Sequence, residues 1–250
     1  MNKRKTALLL SLMIASAPVS GLMSVTASAS SQPAVVMTKT DAPAEVKEMK
    51  GEDLKKIIED KKKKDTVLII DVRKPEEYNA GHVMNAINIP LADTEARLSE
   101  IADFMDKPVV TYCNSGKQSA QSAKILTEYG FKDVSNAQGV KEFTYDLVTF
   151  PNIRGEALKK IVDEKKDVVI LDIRPDKDTK EGIIDGALHI PLDQLKEKMA
   201  ELPKDKEIYV YCNTGTKSVE AAQILKDAGY NVTNVIEGTK EFTYDLVKPQ

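Results

Sequence analysis

The sequence has no tryptophan, and it has only two cysteines and two histidines in 250 residues. Cys113 and Cys212 stand about 100 residues apart and neither histidine has a paired partner, so the ligand spacing of a zinc site is absent. With two cysteines a disulfide framework reduces to one bridge, and sequence supplies no distance test for it. Positive surplus is lacking as well. The formal net charge is −3, which makes a general nucleic-acid binder a poor reading. The lysine run 61–64 sits between Asp60 and Asp65 and reads as a solvated turn, not a basic patch.

Long apolar runs are confined to the start. Lys3, Arg4 and Lys5 precede an apolar stretch from Ala7 to about Val25, followed by the small-x-small pattern Ala27-Ser28-Ala29. That pattern predicts an export signal spanning 1–29, cleaved near Ala29, with Pro18, Ser20 and Gly21 arguing against a spanning helix. Removal of these residues would take the net charge to −6. Residues 30–46 are rich in Ser, Thr, Ala and Pro and read as a linker.

The rest of the chain is a duplication. Val67-Leu68-Ile69-Ile70-Asp71-Val72-Arg73 returns as Val168-Val169-Ile170-Leu171-Asp172-Ile173-Arg174, and the segment from Gly139 to Val148 returns nearly unchanged from Gly238 to Val247. The period is domain-sized, predicting domains over 47–149 and 150–250. Continuous apolar runs alternating with amphipathic segments indicate α/β domains, each a mainly parallel sheet flanked by helices on both faces.

Each cysteine closes a strand-like run and opens a helix-like one. The stretch is Val109-Val110-Thr111-Tyr112-Cys113-Asn114-Ser115-Gly116-Lys117-Gln118-Ser119 in the first repeat and Ile208-Tyr209-Val210-Tyr211-Cys212-Asn213-Thr214-Gly215-Thr216-Lys217-Ser218 in the second. Gly116 or Gly215 lets such a turn fold its N–H groups inward as an anion site facing the positive end of a helix dipole. A thiol there ionises more readily and becomes a nucleophile, with Lys117 or Lys217 adding to the field. Asp71 beside Arg73, and Asp172 beside Arg174, read as structural pairs orienting the loop. His82 and His189 do not occupy equivalent positions and read as packing residues, since a histidine base common to both cysteines would need matching places.

Both repeats, from about residue 48 onward, resemble the rhodanese-like sulfurtransferases. The resemblance rests on Asp71-Val72-Arg73, Glu77-Tyr78, Gly81-His82-Val83, Ala86 to Pro90, Tyr112 to Ser119 and Gly139 to Phe143. In the second repeat it rests on Asp172-Ile173-Arg174, Gly182, Gly186-Ala187, His189-Ile190-Pro191, Cys212 to Ser218 and Gly238. It implies that Cys113, Cys212 or both take the outer sulfur of a small anionic donor, hold it as a persulfide and pass it to a thiol or cyanide-like acceptor. No metal and no organic cofactor is implied. Asn114, Ser115, Gly116, Lys117, Gln118 and Ser119, and their counterparts Asn213, Thr214, Gly215, Thr216, Lys217 and Ser218, form the expected substrate cradles. Where many single-domain members carry arginine just after the cysteine and near the loop's end, this chain has Asn114 and Gln118, or Asn213 and Lys217. Phe143 and Phe242 replace the family's usual tryptophan. A phosphatase reading fails because the arginine clamp six positions after the cysteine is replaced by Ser119 or Ser218. The competing reading is an exported thiol redox sensor or protein-binding module without turnover.

Overall fold

The computed structural model describes residues 37–60, 62–64 and 66–249. The expected export signal lies outside them. Among the described residues no helix is long and apolar enough to cross a membrane.

The first repeat runs β1 (Lys47–Met49), α1 (Gly51–Glu59), β2 (Leu68–Asp71), α2 (Pro75–Ala80), β3 (His82–Val83), β4 (Ile87–Asn88), β5 (Pro108–Tyr112), α3 (Lys117–Glu128), β6 (Asp133–Ala137) and β7 (Leu147–Val148). Five of these strands form a parallel sheet in the order β1-β6-β5-β2-β4. The second repeat runs β8 (Asn152–Ile153), α4 (Gly155–Asp163), β9 (Val169–Asp172), α5 (Asp176–Thr179), β10 (Ile183–Ile184), β11 (Leu188–His189), α6 (Leu195–Lys198), β12 (Ile208–Tyr211), α7 (Thr216–Asp227), β13 (Val232–Val235) and β14 (Leu246–Val247). Its five-stranded sheet has the same parallel order, β8-β13-β12-β9-β11. In each repeat the closing segment adds a small antiparallel pair, β3 with β7 and β10 with β14.

Both faces of each sheet are covered, as the continuous apolar runs require. Leu68, Ile70 and Val72 join Ala123 and Leu126 of α3 in one buried cluster. Val67 and Ile69 join Leu54 of α1 in another on the opposite face. The second repeat divides the same way: Val169 and Leu171 pack with Ala222 and Leu225 of α7, and Ile170 packs with Leu158 of α4. Alternation along a strand of period two sends neighbours to opposite faces, so one run feeds two cores.

Two sequence expectations need amendment. Residues 37–46 carry no helix or strand, yet Met37 and Val46 pack against the first core and Thr40 N donates to Glu128 O at 2.7 Å. Part of the expected linker is therefore fastened to the first domain. Lys64 is not solvated either: its side chain is 5% exposed, and its ammonium donates to the Ile236 carbonyl and pairs with Glu241 of the second repeat. Charge-run reasoning sees only neighbours in sequence, whereas the partner lies 177 residues away.

The repeats are joined closely. Ile236 of the second repeat belongs to the α3-side core of the first. Tyr78 Oη donates to Ala86 O and accepts from Asn152 N, while His82 stacks on Tyr78 with ring centroids 3.6 Å apart. Arg154 bridges Asp103 of the first repeat and Glu237 of the second and lies over the Phe104 ring. These contacts explain why the second repeat has Thr179 and Ile183 where the first has Tyr78 and His82: the junction uses the first pair only.

Candidate active site

Cys113 follows the carboxyl end of β5 and Cys212 that of β12, each just before a 12-residue helix. The turns between are left-handed at Gly116, φ +71°, and Gly215, φ +59°, a conformation that side chains with a Cβ resist. At Gly215 space is also lacking, since a Cβ would lie 2.0 Å from Ile236 O.

A second glycine shapes each loop from behind. Val140 N and Lys141 N donate to the carbonyls of Cys113 and Asn114, and Thr239 N and Lys240 N do the same for Cys212 and Asn213. The loop's carbonyls are thereby held away from the sulfur, leaving its N–H groups to converge there. This backing requires Gly139 and Gly238, where a Cβ would fall 2.2 Å from the carbonyl carbon of Asn114 or Asn213.

Burial alone would push the Cys113 thiol up. The Ser119 hydroxyl, 3.4 Å from Sγ, together with the N–H groups of Ser119, Ser115 and Gln118, outweighs it and holds the thiol below its ordinary value. Asn136 Oδ1 at 2.7 Å and Gly116 O at 3.1 Å lie around the same hydroxyl and share its single proton with the sulfur. In the second cradle the Cys212 thiol donates to Ser218 Oγ at 3.8 Å, and Ser218 donates to the Gly215 and Val235 carbonyls. Each serine thus places its hydroxyl beside a sulfur, Ser119 as donor to Cys113 and Ser218 as acceptor from Cys212, a role that their place in a motif had not specified.

The remaining cradle residues divide. Asn114 Nδ2 donates to Glu77 at 2.7 Å and Asn213 Nδ2 to Asp178 at 2.7 Å, so each loop is tied to the helix that follows the neighbouring strand, α2 after β2 and α5 after β9. From sequence, Glu77 reads only as part of a motif and Asp178 goes unnamed, although acids at equivalent positions of the two repeats were the available signal for a role at the site. Asn114 also keeps the Glu77 carboxyl below the usual carboxylate range. Ser115, Lys117, Gln118 and Thr214 are exposed, and Thr216 is half-buried. Lys117 and Lys217 sit at different places in their loops, one and two residues after the glycine; Lys217 pairs with Glu220 at 3.2 Å.

Asp71 and Arg73 form the expected structural pair, with Nη2 2.6 Å from Oδ2 and a further bond from Nη2 to Gly81 O. Asp172 and Arg174 repeat the arrangement at the same distance, Nη2 reaching Gly182 O. Each carboxylate also accepts its own arginine's backbone N–H, which fixes the chain as it leaves the strand beside the cysteine loop. His82 lies in the domain junction. His189 bonds the Arg174 carbonyl through Nε2 at 2.7 Å, at the margin of the second cradle.

Both cysteines are unpaired and buried. Lys64 precedes the amino end of β2 and touches the loop backing Cys212, whereas Cys113 follows the carboxyl end of β5, which is parallel to β2. Lys64 thus enters the second cradle's support from the end of β2 opposite to the one that lies beside Cys113. The two sulfurs belong to separate sites.

A cysteine at the carboxyl end of a central parallel strand, cupped by N–H groups at a helix start, defines a class of α/β domain built for anionic sulfur or oxyanion chemistry. The family model for the rhodanese-like domain matches residues 51–144 and 155–245, and the chain belongs to that family as a tandem member. It is 41% identical over 86 residues to the thiosulfate sulfurtransferase PspE of Escherichia coli, covering 34% of this chain and 78% of that protein. It is 35% identical over 107 residues to the putative sulfur carrier protein YrkF of Bacillus subtilis, covering 42% of this chain and 58% of that one. Among solved structures, a rhodanese-like domain protein from Staphylococcus aureus is 28% identical with a TM-score of 0.38, covering 40% of this chain and 98% of that one.

Proposed function

We propose that the protein is a sulfurtransferase carrying sulfane sulfur on Cys113 and Cys212 as persulfides. The observation that carries this reading is the place of the Cys113 sulfur between β5 and α3, with the Ser119 hydroxyl 3.4 Å away and the N–H groups of Ser115, Gln118 and Ser119 directed at it. Groups that stabilise a thiolate also stabilise a persulfide anion in the same place. With thiosulfate as donor, the thiolate attacks the outer sulfur, the donor S–S bond breaks, and its electron pair leaves with sulfite. The enzyme keeps Cys–S–S⁻. A cyanide or thiol acceptor then attacks the terminal sulfur and the cysteine departs as thiolate, which predicts ping-pong kinetics. The similarity to relatives named thiosulfate sulfurtransferase and sulfur carrier supports this chemistry.

Export with cleavage near Ala29 is part of the same proposal, supported by the basic, apolar and small-residue order of the first 29 residues. The test of sulfur transfer is thiosulfate:cyanide turnover by the purified protein and its Cys113→Ser and Cys212→Ser variants. Loss in the double variant with partial activity in each single variant is expected. An unchanged rate in the double variant contradicts the proposal, and absence of turnover in every form returns the chain to a redox or binding role.

A further inference from the structure

The two cradles share a backbone but not an electrostatic surface. Over Cys212 opens a pocket of about 680 Å³, whose walls include Arg174, Asp176, Asp193, Asn213, Lys217 and Glu220. That volume suits an organic molecule far better than a small inorganic anion. The positive charges lining it are already engaged: Arg174 is bound to Asp172, and Lys217 is paired with Glu220. Asp193 and Asp176 are exposed, the latter with its side chain 77% accessible and His189 at 4.0 Å.

Equivalent positions in the first repeat follow from the matching sheet registers, Asp71 with Asn88 and Asp172 with His189. There, Pro75 stands for Asp176, Ala92 for Asp193 and Gln121 for Glu220, while Lys74 stands for Pro175 and Gln118 for Lys217. Gln194 of the lining has the acidic Asp93 as its counterpart, so across these six positions the first cradle is neutral overall and the second carries a net of two negative charges. A field of that sign concentrates cations and repels a dianion at the mouth of the pocket.

Building on the sulfurtransferase reading, we propose that the Cys212 pocket takes its sulfur from a cationic organic persulfide, that is, a small amino-thiol persulfide whose ammonium group sits between Asp176 and Asp193. The transfer balances without an external oxidant. The Cys212 thiolate attacks the terminal sulfur of R–S–SH, the donor S–S bond breaks, its electron pair leaves with the amino thiol as R–S⁻, and the enzyme keeps Cys212 as Cys–S–SH. Cys113, whose cradle lacks these carboxylates, is the site for inorganic anions.

The test uses the full chain carrying either Cys113→Ser or Cys212→Ser, with loading followed by intact mass at pH 8. Three donors are compared: cysteamine persulfide, the similarly sized 3-mercaptopropionate persulfide, and thiosulfate. In the Cys113→Ser protein, kcat/KM for the cationic persulfide is expected to exceed that for the anionic one by roughly tenfold, with about threefold lost for each of Asp176→Asn and Asp193→Asn. The Cys212→Ser protein should show no such preference. Equal use of both organic persulfides at Cys212, or a preference untouched by the asparagine substitutions, overturns the donor assignment while sulfur transfer stands. Failure of both single-cysteine proteins to gain sulfur from all three donors removes the assignment and the underlying reading together.

Discussion

Lys64 of the first domain and Glu241 of the second form an ion pair across the domain boundary, Nζ to Oε2 3.1 Å, with side chains 5% and 13% exposed. Glu241 also accepts from Gly238 N, the glycine behind the Cys212 loop, and Lys64 caps the carbonyl of Ile236, against which Gly215 is packed. One lysine of the first domain thereby braces the second cradle. Lys64→Met should destabilise the protein by about 2 kcal/mol, because it strands a mostly buried carboxylate. Sulfur loading at Cys212 should slow while loading at Cys113 holds. Denaturant unfolding and site-resolved mass spectrometry check the two parts.

The backing glycines make a sharper prediction. Gly139→Ala places a methyl group 2.2 Å from the Asn114 carbonyl carbon, so the loop must move. Loading of Cys113 should fall at least about tenfold, with a stability cost of about 1–3 kcal/mol. Gly238→Ala should do the same to Cys212 alone.

Cys113 should react as a thiolate at lower pH than an ordinary thiol, whose pKa is about 8.5. Alkylation of the Cys212→Ser protein should therefore reach its plateau early as pH rises. Ser119→Ala removes the hydroxyl donor and should shift the midpoint upward, leaving the plateau rate close to the parent's. Iodoacetamide kinetics across pH 5–10 measure both.

His82 predicts the acid limb of stability. Asn234 Nδ2 donates to Asn152 Oδ1, which aims Asn152 Nδ2 at His82 Nε2, while Nδ1–H of His82 meets the Tyr78 carbonyl. Only the neutral ring satisfies both contacts. Burial, the largest cause, lowers its pKa from 6.5 to about 4. Between these values the unfolded chain binds the extra proton, so stability falls as pH drops from 6.5 toward 4 and the loss levels off below. The shift corresponds to about 3 kcal/mol. His82→Gln should flatten that part of the curve in urea unfolding at fixed pH values.

Much of this architecture is legible in local sequence. The duplicated Asp-x-Arg strand ends, the cysteine turns and the opposing helices all follow from residues near one another in the chain, where periodicity and turn chemistry operate. What local pattern does not reveal is the partner brought from elsewhere. The bonds of Glu77 to Asn114, of Lys64 to Glu241, and of Asn152 to Tyr78 and His82 join residues 37 to 177 positions apart. The same limit hid the acidic pocket over Cys212, since Asp176 and Asp193 come from separate connections after β9 and β11 and meet only in the folded sheet.

The most direct measurement is intact-mass spectrometry of the unreduced protein before and after thiosulfate, followed by cyanide. Sulfur transfer predicts a gain of about 32 or 64 Da, one sulfur per working cysteine, reversed by cyanide with release of thiocyanate. A mass unchanged by thiosulfate, and about 2 Da below that of the reduced protein, would instead show the two cysteines joined and contradict both the separate sites and the chemistry assigned to them.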